Sequence, residues 1–366
     1  MQNKSNIFLV GDIALNGLYL SDKKNNLNRF KEVLHLFDNN GITIANLETP
    51  IANGSELNPN KSICFYSEED VVREILPLLN IKVVSLANNH IGDYGVPGIK
   101  KTIEVLEELN IYHTGAGIKK SHIEPAIFEI NSKKIAFLAY VDKNTNPKLE
   151  GIDNIFINYF DKYDVINKIQ EIKDTVDKII LSIHWGIDYS FYPTQYQVEV
   201  ARELVDQGVD IVAGHHTHTL QPFEKYKNGF IFYSLGGLTF GDYYQNEVMK
   251  ALPKKTKFSG IPVFYFTNNF YFKEIISVKE LISNYLTISN NNLIKWSNRK
   301  WVIYRFKKKN YFFRKIVSFK EDYIDRINEF LFGYYKSPLK RIVKLMDPSR
   351  MRRLVNDAKI KNNRIL

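Results

Sequence analysis

A single cysteine, Cys64, among 366 residues rules out an intramolecular disulfide framework. It does not fix the compartment, because many exported chains also lack disulfides. Long apolar runs are missing too. No stretch approaches the roughly 20 apolar residues that a membrane-spanning helix needs. The run from Ile7 to Val10 is far shorter than a signal-peptide core. The default expectation is a cytoplasmic protein, or one peripheral on the inner face of the membrane. Repeats and low-complexity tracts are absent. Hydrophobic residues make up 44% and charged residues 25%, as in ordinary globular domains rather than disordered ones.

Negative charge is scarce in one place only. Residues 291–366 hold 21 Lys and Arg against 6 Asp and Glu, whereas residues 1–290 hold 29 against 34. The net charge of +10 therefore belongs to the last fifth of the chain, and the asymmetry implies two parts with different jobs. The expected division is a main domain over 1–285 and a basic, aromatic-rich extension over 286–366. That extension contains Trp296, Trp301, Lys307-Lys308-Lys309, Phe312, Phe313 and a helical pattern near 320–333. It reads as a solvated or packing arm, or as a contact for an anionic membrane surface, an anionic polymer or a polymer-synthase complex. No recognisable module supports nucleic acid.

The main body alternates between two periodicities. Residues 6–12, 41–48, 81–90, 178–186 and 209–218 are β-branched apolar runs, each opening at its C-terminal end into polar, chemically capable residues. Helical spacing appears over 28–37, 96–109 and 195–207. Residues 124–140 and 261–278 read as hairpins turning at Asn131-Ser132 and Asn268-Asn269, with loops at 50–62 and 143–154. Alternating strand and helix predicts an α/β layered fold, in which ligands gather beyond the carboxyl ends of the strands.

Asp12, Glu48, Asn89, His90, His184 and a late histidine run all fall at such ends. Three of the eight histidines, His35, His113 and His122, are scattered and carry no motif. His216 and His218 form a His-x-His after a strand and a glycine, and alternate residues of an extended segment face the same way. A mixed Asp, Glu, Asn and His set without cysteine suits one or two divalent cations such as Mn, Fe, Zn or Mg better than structural zinc. It also suits a two-metal hydrolytic site with a carboxylate between the cations. If Asn89 is a ligand, His90 can lie beside the substrate and donate to a leaving oxygen. Asp93 can orient His90 or cap the following helix, and Asp188 is a candidate partner behind the ligands.

The segments GDIALN, NLETPI, SLANNHIGDYG, TGAG, HWGIDY, AGHHTHTLQPFE and YSLGGLTFGD stand in an order and spacing that resembles the CapA family over roughly residues 6–245. That family is named for capsule and poly-γ-glutamate synthesis, and its members resemble calcineurin-like metallophosphoesterases. The resemblance implies a four-layer α-β-β-α sandwich, followed here by the basic extension. It implies metal-ligand roles for Asp12, Glu48 in the bridging position, Asn89, His184, His216 and His218, with His90 as the catalytic histidine. His215 stands outside the direct ligands, behind them with Asp188.

Three positions depart from the pattern. Ala14 stands where metallophosphoesterases have the histidine of Asp-x-His. Gly237 interrupts the usual YSLGNF, and Asp188 replaces a common glutamate. One cation would then have Asp12, Glu48 and His218, and the other Glu48, Asn89, His184 and His216. The implied activity is a metal-dependent hydrolase or transferase acting on a phosphoester or anionic polymer in cell-surface polymer synthesis. The alternative is a non-catalytic accessory subunit of a polymer synthase or exporter, docked through the basic tail.

Overall fold

Four parallel strands lead the chain into its first sheet: β1 (Ser5–Ala14), β2 (Gly41–Leu47), β3 (Ile81–Ser85) and β4 (Tyr112–Thr114). The hairpin Phe258–Phe266/Phe270–Glu280 and the strand Leu286–Ser289 extend the sheet antiparallel beyond β1, and Gly237–Phe240 pairs with the end of β1. A second, six-stranded sheet is built around the parallel strands Lys133–Val141, Lys178–His184 and Ile211–His215. This computed structural model describes residues 5–298 apart from 38–40, 53–56, 62, 146, 148–153, 241–242, 246–247, 251–255, 268, 282–283, 290–292 and 295. The expected helix near 320–333 and the basic end of the extension lie outside the described residues, as do parts of the loops expected at 50–62 and 143–154.

Alternation decides which way each strand faces. In β1, Ile7 and Leu9 point into a core shared with Phe137, Ile180, Ile211 and Phe264, so the two sheets are packed face to face. Phe8 and Val10 point the other way, against Val72, Ile75, Ile99 and Leu106. Those last four side chains come from the helices Glu69–Leu78 and Gly95–Glu108. The outer face of the second sheet is covered by the helix Gln195–Asp206, which buries Val198, Ala201 and Leu204. The fold is thus the four-layer α-β-β-α sandwich expected. No helix among the described residues is long and apolar enough to cross a membrane.

Local chemistry explains most boundaries. The turn between Ala126–Ile130 and Lys133–Val141 uses Asn131 and Ser132, both at positive φ (53° and 60°), the left-handed pair that a two-residue hairpin demands. The helix Gln195–Asp206 starts with a capping box, Thr194 accepting from Gln197 N and Gln197 accepting from Thr194 N. The continuous helix expected over 28–37 is not formed. Asn26–Phe30 and Leu34–Leu36 are separate short turns, too short to propagate on their own, although Phe30, Val33 and Phe37 still reach the core. The helices Glu69–Leu78 and Lys162–Ile172 lie where no helix was expected.

One glycine sets the position of the site. A Cβ on Gly11 would stand 1.7 Å from the Gly236 carbonyl oxygen, because the chain at 234–237 crosses directly over β1. That approach lets Asp12 N donate to Gly236 O at 3.1 Å and holds the Asp12 backbone rigid. Gly11→Ala forces two backbones apart and should cost about 3 kcal/mol or more. Denaturant unfolding measures this, and a midpoint within error of wild type would refute the constraint.

Candidate metal centre

Five of the parallel strands deliver a polar residue at or just past their ends, and these residues converge between the two sheets' carboxyl edges. Asp12 comes from β1, Glu48 follows β2, Asn89 and His90 follow β3, His184 ends Lys178–His184, and His215 ends Ile211–His215. His216 and His218 lie just beyond, where the chain has left the strand.

The backbone there is not extended. His216 and His218 both have positive φ, 87° and 53°, a region costly for a side-chain-bearing residue and typical of functional sites. Alternation along an extended strand therefore does not bring the two imidazoles together; a strained bend does. It also sends them into two adjacent groups rather than one, with ring centroids 6.1 Å apart.

In the first group, Asp12, Glu48 and His218 bring ligand atoms within 4.8 Å of one another, all three side chains buried. His218 Nδ1 lies 3.2 Å from Asp12 Oδ2, and its Nε2 lies 3.8 Å from Glu48 Oε1. In the second group, His184 Nε2 is 2.9 Å from Asn89 Oδ1, 3.2 Å from His216 Nδ1 and 3.8 Å from Glu48 Oε1. Glu48 lies between the groups. Ala14 is fully buried and offers no ligand atom to either.

The electrostatics fit a bound cation. Both carboxylate oxygens of Glu48 are buried, and neither has a hydrogen-bond partner among the described residues. Burial pushes the Glu48 carboxyl well above the usual carboxylate range, reinforced by the charges of Asp12, Asp188 and Asp93. An unpaired carboxyl in that position costs several kcal/mol if ionised, and a divalent cation is the partner that removes the cost. Burial opposes ionisation of Asp12 as well, but the close approach and charge of the His215 and His218 imidazoles outweigh it and hold that carboxyl well below its ordinary range. Burial pushes His184 well below the ordinary imidazole value, with His216 adding to the effect. It lowers His216 to about 4, against the opposing pull of Asp188. Neutral imidazole is the form that ligates a metal.

Behind these groups runs a network of amides that the sequence reading passed over. Asn46 Nδ2 donates to Asp12 Oδ1 at 2.9 Å and lies 3.4 Å from His184 Nδ1. Asn88 Nδ2 donates to Asn46 Oδ1 and to Leu47 O, while Asn88 Oδ1 accepts from His90 N. Alternation along β2 puts Asn46 and Glu48 on one face, a signal that could have found the first of these amides. Asp188 Oδ1 stands 3.2 Å from His216 Nε2, its side chain 59% exposed. His215 Nδ1 is 3.2 Å from Asp12 Oδ1 but is not aligned for a hydrogen bond.

His90 stands on the other side. Its Nδ1 lies 2.7 Å from Asp93 Oδ2, its ring rests 4.7 Å from that of Phe65, and burial lowers its pKa. Phe65 meets Phe240 edge-on at 5.7 Å, and Phe240 lies 4.1 Å from the His218 ring. An aromatic wall thus links His90 to the first group. Of the scattered histidines, His113 and His122 pack against each other with centroids 5.6 Å apart.

The structure is thus an α-β-β-α sandwich with a buried carboxylate-imidazole-amide cluster at the carboxyl edges of its strands, a donor set that could hold a divalent metal. Residues 6–242 match the family described as bacterial capsule synthesis protein PGA_cap, and the chain belongs to that family. It is similar to the PGA biosynthesis protein CapA of Bacillus subtilis, 32% identical over 63% of this chain and 62% of that one. It is also similar to the capsule biosynthesis protein CapA of Bacillus anthracis, 29% identical over 65% of this chain and 60% of that one. The chain thus spans about three fifths of the length of these relatives. A phosphatase structure from Mycoplasma pneumoniae overlays 81% of this chain and 98% of its own length, with TM-score 0.49 and 13% identity.

Proposed function

We propose that this protein is a metal-dependent hydrolase or transferase. Its substrate would be a phosphoester or related anionic acyl group, met in making, releasing or trimming a cell-surface polymer. The observation that carries the reading is Glu48, whose buried oxygens have no hydrogen-bond partner among the described residues and lie between two sets of nitrogen and oxygen ligand atoms. Asp12, Glu48 and His218 would hold one cation, and Glu48, Asn89, His184 and His216 a second. Cations so held supply Lewis-acid polarisation and activation of water. The chain's own groups do the rest. Asn46 restrains Asp12, Asp188 orients His216, and His90, held through Nδ1 by Asp93, turns Nε2 toward the leaving oxygen. The aromatic wall of Phe65 and Phe240 excludes water from one side. The polymer substrate follows from family membership alone, and the basic residues after 290 would provide attraction to an anionic polymer or membrane.

Purified protein should hydrolyse a chromogenic phosphodiester with Mn, lose that activity in chelator and regain it on adding Mn back. The rival reading, an accessory subunit that keeps the cluster for structure, draws on Ala14, which leaves the Asp12 group one ligand short. Cation binding without turnover of any phosphomonoester or phosphodiester would decide for the accessory role.

A further inference from the structure

We propose that Lys61 is a positioning residue for His90, acting through Asp93; the role rests on the reading of His90 as the group that meets the substrate. The segment carrying Lys61 is bound across the turn at 89–93. Asn58 N donates to Asp93 O at 2.9 Å, Asn58 Nδ2 to Gly92 O at 3.2 Å, and Phe65 N to Asp93 Oδ2 at 2.7 Å. Lys61 enters between these anchors. Its Nζ pairs with Asp93 Oδ1, donates to the Asn89 carbonyl oxygen at 2.6 Å, and stands 3.4 Å from His90 Nδ1. The Lys61 side chain is 8% exposed and that of Asp93 is fully buried.

A buried ion pair is poor evidence of stabilisation, since desolvating both charges costs about as much as their attraction returns. Its geometry is more informative. Asp93 faces two donors, Lys61 Nζ and Phe65 N, and so meets His90 as an acceptor. At 2.7 Å the proton shared with His90 therefore sits on Nδ1. The ammonium of Lys61 can only donate, so it makes no competing bond to a protonated Nδ1. The outcome is one tautomer, Nδ1–H, with Nε2 as the ring atom available to the substrate. The bond to the Asn89 carbonyl also fixes the peptide that joins Asn89 to His90, so a single ammonium orients both neighbours of the site.

The test is a long-range proton-nitrogen NMR spectrum of protein labelled with 15N-histidine, with His90 signals assigned by their loss in His90→Gln. Wild type should show His90 with a protonated Nδ1 and a bare Nε2. Lys61→Met should lose that single pattern for a mixture or for Nε2–H, with circular dichroism unchanged and turnover read at matched metal occupancy. Turnover of the phosphodiester should fall about 10–100-fold with KM within about twofold. If Lys61→Met does not fold, Lys61→Gln, a neutral polar chain, is read the same way. An unchanged His90 pattern in either folded variant, or an Nε2–H tautomer in wild type, overturns the proposal. Should no phosphoester be cleaved at all, the hydrolase reading fails, while the spectrum still decides the role of Lys61.

Discussion

Native mass spectrometry of the His216→Ala protein should show at least one divalent cation fewer than wild type, which should carry one or two. His216 supplies the nitrogen that stands 3.2 Å from His184 Nε2, in a group whose other donors are an amide oxygen and a carboxylate it shares. Losing one of so few ligands should weaken that cation by about 100-fold or more, roughly 2.7 kcal/mol. The cost of leaving Asp188 and His184 without their partner adds to this. Glu48→Gln should be more severe, because the one carboxylate between the two groups is replaced by a neutral amide and both cations weaken together. Soaking with Mn or Zn before measurement guards against loss in purification. Wild type that remains metal-free after soaking would sink both the centre and the hydrolase reading built on it.

His90→Ala should separate catalysis from binding. The ring contacts Asp93, Phe65 and Lys61, and it stands outside both ligand groups, so the cations should remain. Turnover of a phosphodiester should nevertheless fall by about 10²–10⁴-fold, or roughly 3–5 kcal/mol of barrier. Asp93→Asn keeps the shape but can offer Nδ1 a donor where an acceptor stood, which turns the imidazole to the wrong tautomer, and a loss of the same order is expected. Single-turnover kinetics at matched metal occupancy makes the measurement. Full activity in His90→Ala would remove this residue from the mechanism. A loss of metal parallel to the loss of rate would make it a ligand instead.

Much of the arrangement is legible in the sequence. Apolar β-branched runs ending in Asp12, Glu48, Asn89-His90 and His184 announce parallel strands whose polar ends meet, because a strand buried on both faces can place chemistry only where it stops. The Asn131-Ser132 hairpin was equally plain, since few residue pairs tolerate left-handed backbone twice in succession. The broken helix near residue 30 was not plain. Its apolar spacing is helical, and only tertiary packing shows that separate turns reach the same core.

What the order of residues decides here is chemistry and layer. Hydrophobic period assigns the main strands and the helices at 95–108 and 195–206, and the residue types at strand ends assign the donors, both being properties carried within a few neighbours. What only the folded chain decides is partnership. Lys61 and Asp93 lie 32 positions apart and Asp12 and His216 lie 204 apart, so no local pattern could pair them. The strained bend at His216 and His218, which divides the two imidazoles between neighbouring groups, exists because the surrounding sheets hold the backbone in a conformation that it would not adopt alone.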